Sequence, residues 1–179
     1  MSHPRNNRFQ YQTKTRRTQT RRGEQGFICR HCNLYVPCAA IIAGVQNRNH
    51  CPGCLWSRHL DGLNAGDRLA GCRATMRPIG LTTKRCRNKY ASERDGELMI
   101  IHRCTVCPKI VINRIAADDS AAALFELFED SCASSAALQA ELGSIGVSIL
   151  TARDANLVRR RLFGTNTREI QKGALTLVE

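Results

Sequence analysis

Short apolar runs alternate with turn-forming residues through the first two thirds of the chain, and two pairs of these runs each enclose a Cys-x-x-Cys motif. The runs are residues 27–28 and 34–36 around the motif that begins at Cys29, and residues 98–101 and 110–112 around the motif that begins at Cys104. A pair of short β-runs on either side of such a motif predicts a hairpin whose turn is held by a bound metal.

Beyond residue 116 the pattern becomes alanine-rich with apolar residues at helical spacing, which predicts three helices. Ser120 is a candidate cap for the first helix, and Gly143 is the expected end of the second. Thr151 and Asp154 have the spacing of a capping box for the third helix, which Gly164 is expected to end.

These elements predict an α+β protein built on a small zinc-stapled β-hairpin domain of the zinc-ribbon or treble-clef type. Residues 1–25 are polar and basic with almost nothing to bury, so we expect a disordered N-terminal arm. The zinc domain is expected over residues 26–119, and a helical C-terminal extension over residues 120–179.

The cysteine content favours metal over disulfides. The chain has ten cysteines, but its first residues lack the apolar core of a secretory signal. They are rich in Arg, as in a transit peptide, but poorly amphipathic. No stretch approaches the roughly 20 apolar residues that span a bilayer. We therefore expect a cytoplasmic protein, in whose reducing compartment paired cysteines bind metal.

The spacing of the cysteine pairs predicts two zinc sites. Eighteen residues separate the pair ending at Cys32 from the pair starting at Cys51, which fits one four-thiolate site. The third pair needs two further ligands, and His59 and Cys72 are the nearest. The eight predicted ligands of two structural Zn²⁺ ions are Cys29, Cys32, Cys51, Cys54, His59, Cys72, Cys104 and Cys107.

Two alternatives concern these ligands. A cross-braced arrangement would join the first cysteine pair to His59 and Cys72, and the second pair to the third. His50 and His102 are rival nitrogen ligands. The remaining cysteines, Cys38, Cys86 and Cys132, have no paired neighbour and are expected to be ordinary thiols.

No known catalytic motif accompanies these ligands. A closed four-ligand site leaves no position for a reacting water, and the sequence contains no His-Glu-x-x-His, zinc deaminase, P-loop or nucleophile-elbow motif. We therefore expect a protein that is not an enzyme. The least favoured alternative is a nucleic-acid-processing enzyme that uses His50 or His102 with Asp61 or Asp67.

The segment Arg48-Asn49-His50-Cys51-Pro52 resembles the motif that gives the bacterial RNHCP-domain family its name, and the similarity covers roughly residues 26–120. The other matching segments are Phe27-x-Cys29-x-x-Cys32, Cys54-Leu55-x-Ser57-x-His59-x-Asp61, Gly66-Asp67-Arg68, Cys72, Met76-x-Pro78-Ile79-Gly80, Ile101-His102-Arg103-Cys104-x-x-Cys107 and Asn113-Arg114-Ile115-Ala116-Ala117-Asp118-Asp119. Pro108, where Gly is expected, and the extra thiol of Cys38 depart from the pattern. The resemblance implies a compact zinc-binding domain and no particular reaction.

The net charge of +12 points to a polyanionic partner. Residues 1–30 carry eight Lys or Arg against one acid, residues 31–114 carry thirteen against five, and residues 115–179 carry six against nine. The basic surface therefore belongs to the first two thirds of the chain. The candidate contacts on the arm are Arg5, Arg8, Lys14, Arg16, Arg17, Arg21 and Arg22, and those on the zinc domain are Arg48, Asn49, Arg58, Arg103 and Arg114.

These features predict an RNA-binding protein, most simply a ribosomal protein or ribosome-associated factor that contacts ribosomal RNA, by analogy with the build of ribosomal proteins. The helical extension would then meet neighbouring ribosomal proteins. A DNA-binding zinc regulator is the alternative, with Arg159, Arg160 and Arg161 as its basic helix. For the Arg residues of the zinc domain, the competing interpretation is an internal network with Asn49, Asp61, Asp67, Asp118 and Asp119.

Overall fold

The computed structural model of the chain describes residues 26–84, 96–134 and 136–164. The predicted N-terminal arm, with its seven candidate cations from Arg5 to Arg22, lies outside the described residues. So do Cys86 and the last fifteen residues of the predicted helical extension.

Among the described residues, two antiparallel sheets form the β part of the fold. In the first, β1 (Phe27–Ile28) pairs with β2 (Tyr35–Val36) across the first cysteine pair. The second sheet has the order β3-β4-β5-β6, with β3 at Ser57–Arg58, β4 at Thr75–Lys84, β5 at Glu97–Cys104 and β6 at Ile110–Arg114. Both predicted hairpins are confirmed, whereas the long strand β4 was not predicted.

In the part of the chain that the structure describes, four helices follow or interrupt the strands. They are α1 (Ala40–Ala43), α2 (Ala121–Cys132), α3 (Ala136–Ser144) and α4 (Ala155–Phe163), the last preceded by a 3₁₀ turn at Ala152–Asp154. Within the described ranges, none of the helices has the length and apolar character needed to cross a membrane.

The predicted helix ends are largely confirmed. The Ser120 side chain accepts a hydrogen bond from the amide of Ala123, and the Thr151–Asp154 capping box is present. Gly164 ends α4 with a φ of 68°. The prediction that Gly143 ends α3 was wrong by one residue, because the chain turns only at Gly146, where φ is 73°.

Helices α2 and α4 share one apolar core with the large sheet. Leu81 of β4 and Ile100 of β5 pack in the same cluster as Leu124 and Phe128 of α2 and Val158 of α4. Burial of these side chains is the main stabilising contribution, at roughly 1.5–3 kcal/mol each. The α+β class is therefore confirmed, while the domain boundary at residue 119 stays a prediction.

Strand β4 lies close to the segment that leads into α4. The Leu150 amide donates to the Leu81 carbonyl oxygen at 2.8 Å, so this segment covers β4 where the short strand β3 no longer pairs with it. At Gly80 a side chain has no room, because a Cβ atom would stand 2.6 Å from Cδ1 of Ile149 and 3.1 Å from Cβ of Ser131. Gly80 thus permits the close packing of α2 and this segment on the sheet.

Candidate metal centres and the surface around them

Four cysteines converge at the first candidate metal centre. The ligand atoms of Cys29, Cys32, Cys51 and Cys54 all lie within 4.8 Å of one another. Sγ of Cys29 is 3.5 Å from Sγ of Cys54, and Sγ of Cys32 is 3.6 Å from Sγ of Cys51. Four sulfurs at about 2.3 Å from one tetrahedral ion lie roughly 3.8 Å apart, so the cluster fits a Zn²⁺ ion.

The two cysteine pairs of this centre have the same backbone geometry. The amide of the first cysteine donates to the carbonyl oxygen five residues on, at 2.8 Å for Cys29 and 2.9 Å for Cys51. The residue after the second cysteine, Asn33 or Leu55, returns a hydrogen bond of 2.9 Å to the first cysteine's carbonyl oxygen. Both residues adopt left-handed φ values, 61° and 62°. We call each such turn a zinc knuckle.

The second centre collects its ligands from four places in the chain. His59 follows β3, Cys72 precedes β4, Cys104 ends β5, and Cys107 lies in the turn before β6. The ligand atoms lie within 4.8 Å of one another, with Nδ1 of His59 3.3 Å from Sγ of Cys107. The turn from Cys104 to Cys107 is followed by Pro108, where the two zinc knuckles have a residue with a left-handed φ. The proline ring holds φ near −65°, so this turn cannot end in the same conformation.

The surroundings shift the pKa values of several thiols. Burial raises the pKa of Cys54 and that of Cys51. Burial also opposes ionisation of Cys104, but hydrogen bonds from the amides of Val106 and Cys107 outweigh it and lower its pKa to about 6. A Zn²⁺ ion needs thiolates, so metal binding at the first centre releases protons.

The ligand sets follow the sequential pairing rather than the cross-braced alternative. The rival nitrogen ligands have other partners, since Nε2 of His50 lies 2.7 Å from Asp119 and His102 bonds to the main chain. Cys38 and Cys132 belong to neither described cluster. The two centres together fit two structural zinc ions, one held by four cysteines and one by three cysteines and a histidine.

Comparison with known proteins places the chain in a family. The sequence profile of the RNHCP domain matches residues 24–125, which is more than half of the chain and includes both metal centres. The chain belongs to the RNHCP-domain family. No curated protein and no solved structure matches the chain.

Within the RNHCP domain, Arg48 of the name-giving motif is buried in an ion-pair network. Its Nη1 atom lies 2.6 Å from the Asp118 carboxylate and its Nη2 atom 3.1 Å from Oδ1 of Asp119, and the Arg48 side chain has no exposed surface. Asn49 is also buried. The prediction that Arg48 and Asn49 contact nucleic acid is therefore corrected, because a phosphate cannot reach side chains enclosed in this way.

This network connects the first zinc centre to the helices. Asp119 also accepts hydrogen bonds from the Ala116 amide and pairs with His50, while the Ser120 amide donates to the Pro52 carbonyl oxygen at 2.9 Å. The start of α2 is thus anchored to the second knuckle. The internal network that competed with nucleic-acid contact is present for Arg48.

The acids suggested for an enzyme hold a loop instead of meeting the histidines. Asp67 accepts hydrogen bonds from the amides of Gly62, Asn64 and Leu69, which lower its pKa to about 2. Asp61 accepts bonds from the amides of Gly66 and Arg68. Each carboxylate therefore stabilises the conformation of the loop between His59 and Cys72.

The other predicted cations of the RNHCP domain are at least partly exposed. Arg103 pairs with Glu141, and Arg114 pairs with Glu97 at 3.3 Å. Arg58 forms no ion pair with any carboxylate in the described ranges. Of these three residues, Arg58 retains the least compensated charge.

Sequence reasoning missed two further cations near Arg58. Partial burial lowers the pKa of the Arg58 guanidinium, and the positive charges of Arg30 and Arg73 lower it further. Arg30 lies inside the first knuckle, and Arg73 follows the ligand Cys72. Their proximity in sequence to metal ligands could have identified both as candidate site residues. We call Arg30, Arg58 and Arg73 the arginine cluster.

A stacked ring pair lies beside the first knuckle and was also missed. The rings of His31 and Trp56 are 4.3 Å apart between centroids and inclined by only 7°. His31 is exposed and Trp56 half-buried. The two residues are 25 positions apart in the chain. They meet because the two cysteine pairs beside them converge at the first metal centre.

The basic helix of the DNA-binding alternative is partly occupied by internal contacts. The Arg159 guanidinium lies over the Phe125 ring, 5.1 Å from its centroid, and Arg161 donates to the Gly96 carbonyl oxygen at 3.0 Å. Both contacts attach α4 to the rest of the fold. They leave fewer free cations on this helix than its sequence indicates.

Proposed function

We propose that this protein binds RNA, and that its zinc ions are structural supports for the binding surface. The observation that carries the proposal is the arginine cluster beside the metal centres. Like charges repel, so a partly buried Arg58 that feels the positive charges of Arg30 and Arg73, and has no carboxylate partner among the described residues, favours an anionic ligand.

The zinc centres hold this cluster in place. Arg30 lies between the ligands Cys29 and Cys32, and Arg73 directly follows the ligand Cys72. Arg58 directly precedes His59. Rigid backbone reduces the conformational entropy lost when the guanidiniums engage phosphates, and the planar fork of Arg suits bidentate phosphate contacts.

The charge distribution supports a polyanion of some length. Residues 1–30 carry a net charge of +7, and the last of them, Arg30, belongs to the arginine cluster. Cations spread along such a segment can follow a phosphate backbone and release its counterions. We propose ribosomal RNA in the cytoplasm as the natural target, with the exposed faces of the C-terminal helices meeting ribosomal proteins.

The donor set supports a non-catalytic role for both metals. Each centre supplies four protein ligands, and a closed tetrahedral shell leaves no open position for a water nucleophile. His50 and His102, the histidines considered for catalysis, are both buried.

Sedimentation with ribosomes at different salt concentrations tests the proposal. The zinc-loaded protein should co-sediment with ribosomal subunits at 50 mM salt and dissociate as salt rises toward 200 mM, because phosphate contacts are screened. A protein that stays free of ribosomes and of naked ribosomal RNA at low salt would refute it. Duplex DNA added as a competitor distinguishes RNA binding from the alternative of a DNA-binding regulator, because a regulator should move from the RNA to the DNA.

A charge-matched pair of variants locates the surface. Arg30→Gln removes one cation of the arginine cluster, whereas Arg153→Gln removes one exposed cation from the 3₁₀ turn before α4. Arg30→Gln should weaken RNA binding and reduce the slope of log K against log salt by about 0.7 to 0.9. Arg153→Gln should leave both unchanged. Equal effects of the two variants would indicate attraction by net charge alone.

A further inference from the structure

We infer that the His31–Trp56 stack is a platform for an unpaired nucleobase, so that the RNA bound here is single-stranded at this point. This inference rests on the proposed RNA binding and adds the form of RNA that the site selects. It starts from the geometry of the ring pair and from the cations that flank it.

The stack is preorganised by the first zinc centre. The His31 amide donates to Sγ of Cys29 at 3.4 Å, and the Trp56 carbonyl oxygen accepts from the Cys51 amide at 2.9 Å. Both rings are therefore attached to backbone that the metal ligands fix. A base adding to the exposed ring of His31 would extend an existing stack without first ordering it.

Each ring of the platform has an arginine within two positions of it in the chain. Arg30 is the chain neighbour of His31, and Arg58, whose pKa the positive charge of Arg30 lowers, lies two positions after Trp56. The buried Nε atom of Arg58 has no hydrogen-bond acceptor among the described residues. Both guanidiniums are thus candidates to contact the phosphates of a base that stacks on His31.

This combination distinguishes an unpaired strand from a duplex. Bases inside a duplex already stack on each other and expose only their edges, whereas an unpaired base offers a free face to an aromatic ring. Positive charge alone would attract both forms. The ring pair is therefore the feature that selects single strands.

Trp56 is the only tryptophan of the chain, so its fluorescence reports on this platform directly. The experiment adds a 12-nucleotide single-stranded RNA, or the same strand annealed to its complement, to the full-length zinc-loaded protein. The single strand should quench Trp56 emission and bind at least tenfold more tightly than the duplex, since stacking of one base contributes on that order.

Two variants separate stacking from support of the metal centre. His31→Ala should lower affinity for the single strand about tenfold and leave duplex affinity and two bound zinc ions unchanged. His31→Phe should restore single-strand binding, because it keeps the ring. Arg153→Gln should match the wild-type protein throughout.

The outcomes that overturn the platform differ from those that overturn RNA binding. Equal binding of single strand and duplex, with Trp56 emission unchanged, would remove the platform and leave RNA binding intact. No binding of either RNA at low salt would remove the proposed function itself. Trp56 emission of the wild-type protein tests the platform even if a variant fails to retain zinc, because this measurement needs no substitution.

Discussion

Nε2 of His102 lies 2.7 Å from the carbonyl oxygen of Leu55, and both residues are buried. A carbonyl oxygen only accepts hydrogen bonds, so Nε2 carries the proton and Nδ1 can accept the bond of 2.9 Å from the Asn113 side chain. Burial lowers the pKa of His102 to about 3, which keeps the ring neutral. This histidine joins the knuckle of the first zinc centre to the middle of the large sheet.

Replacing His102 should therefore destabilise the fold. His102→Phe fills a similar volume but leaves the Leu55 carbonyl oxygen without its partner in the core, at a cost of about 1–3 kcal/mol. Urea unfolding of the zinc-loaded protein measures the change. Asn113→Ala is the control that keeps the bond to Leu55, and it should cost less. Equal stability of His102→Phe and the wild-type protein would contradict this role.

Metal content tests the two centres separately. Purified protein should contain two zinc ions per chain, and Cys51→Ser or Cys107→Ser should reduce the content to one, because each closed site needs all four ligands. Cys132→Ser, which changes a cysteine outside both clusters, should retain two. Elemental analysis with far-UV circular dichroism gives the measurement. Wild-type protein without zinc would disprove both assignments.

Replacing Arg48 should cause a large loss of stability, because its side chain is buried in an ion-pair network. Arg48→Met leaves the buried carboxylate of Asp119 without its guanidinium partner and should cost about 3–5 kcal/mol. Arg114→Met breaks the exposed pair with Glu97 and should cost at most about 1 kcal/mol. Chemical unfolding distinguishes the two, and similar losses would argue against a buried network.

A pair of glycines tests the packing of α2 on the sheet. Gly80→Ala forces a methyl group against Ile149 and Ser131 and should destabilise by about 1–3 kcal/mol. Gly143→Ala has open space within α3 and should stabilise by up to about 1 kcal/mol. Thermal unfolding should shift the midpoint in opposite directions, and shifts of the same sign would show that this close approach is relaxed in solution.

The zinc ligands could be predicted from sequence because metal chemistry imposes short and regular spacing. Two residues between sulfurs let both reach one ion, so Cys29 and Cys32 carry their own signal. Strand β4 could not be predicted from its sequence, since Pro78 and Gly80 are typical of turns. In the structure a register shift between these two residues accommodates them within the sheet.

The fate of the cations could not be predicted in the same way. Arg48 and Arg58 both lie next to residues of the zinc centres, yet one is enclosed by Asp118 and Asp119 and the other lacks a described carboxylate partner. The partners of Arg48 are some 70 positions away in the chain. Only the packing of α2 against the second knuckle brings these charges together.

The order of the ligands along the chain has a consequence for biosynthesis. Every ligand of the first centre precedes every ligand of the second, with Cys54 ending one set and His59 beginning the other. A nascent polypeptide therefore carries a complete first set while more than a hundred residues remain to be translated, whereas the second set is incomplete until Cys107 emerges. Metal loading can thus proceed in the direction of translation, without exchange of cysteines between the two ions.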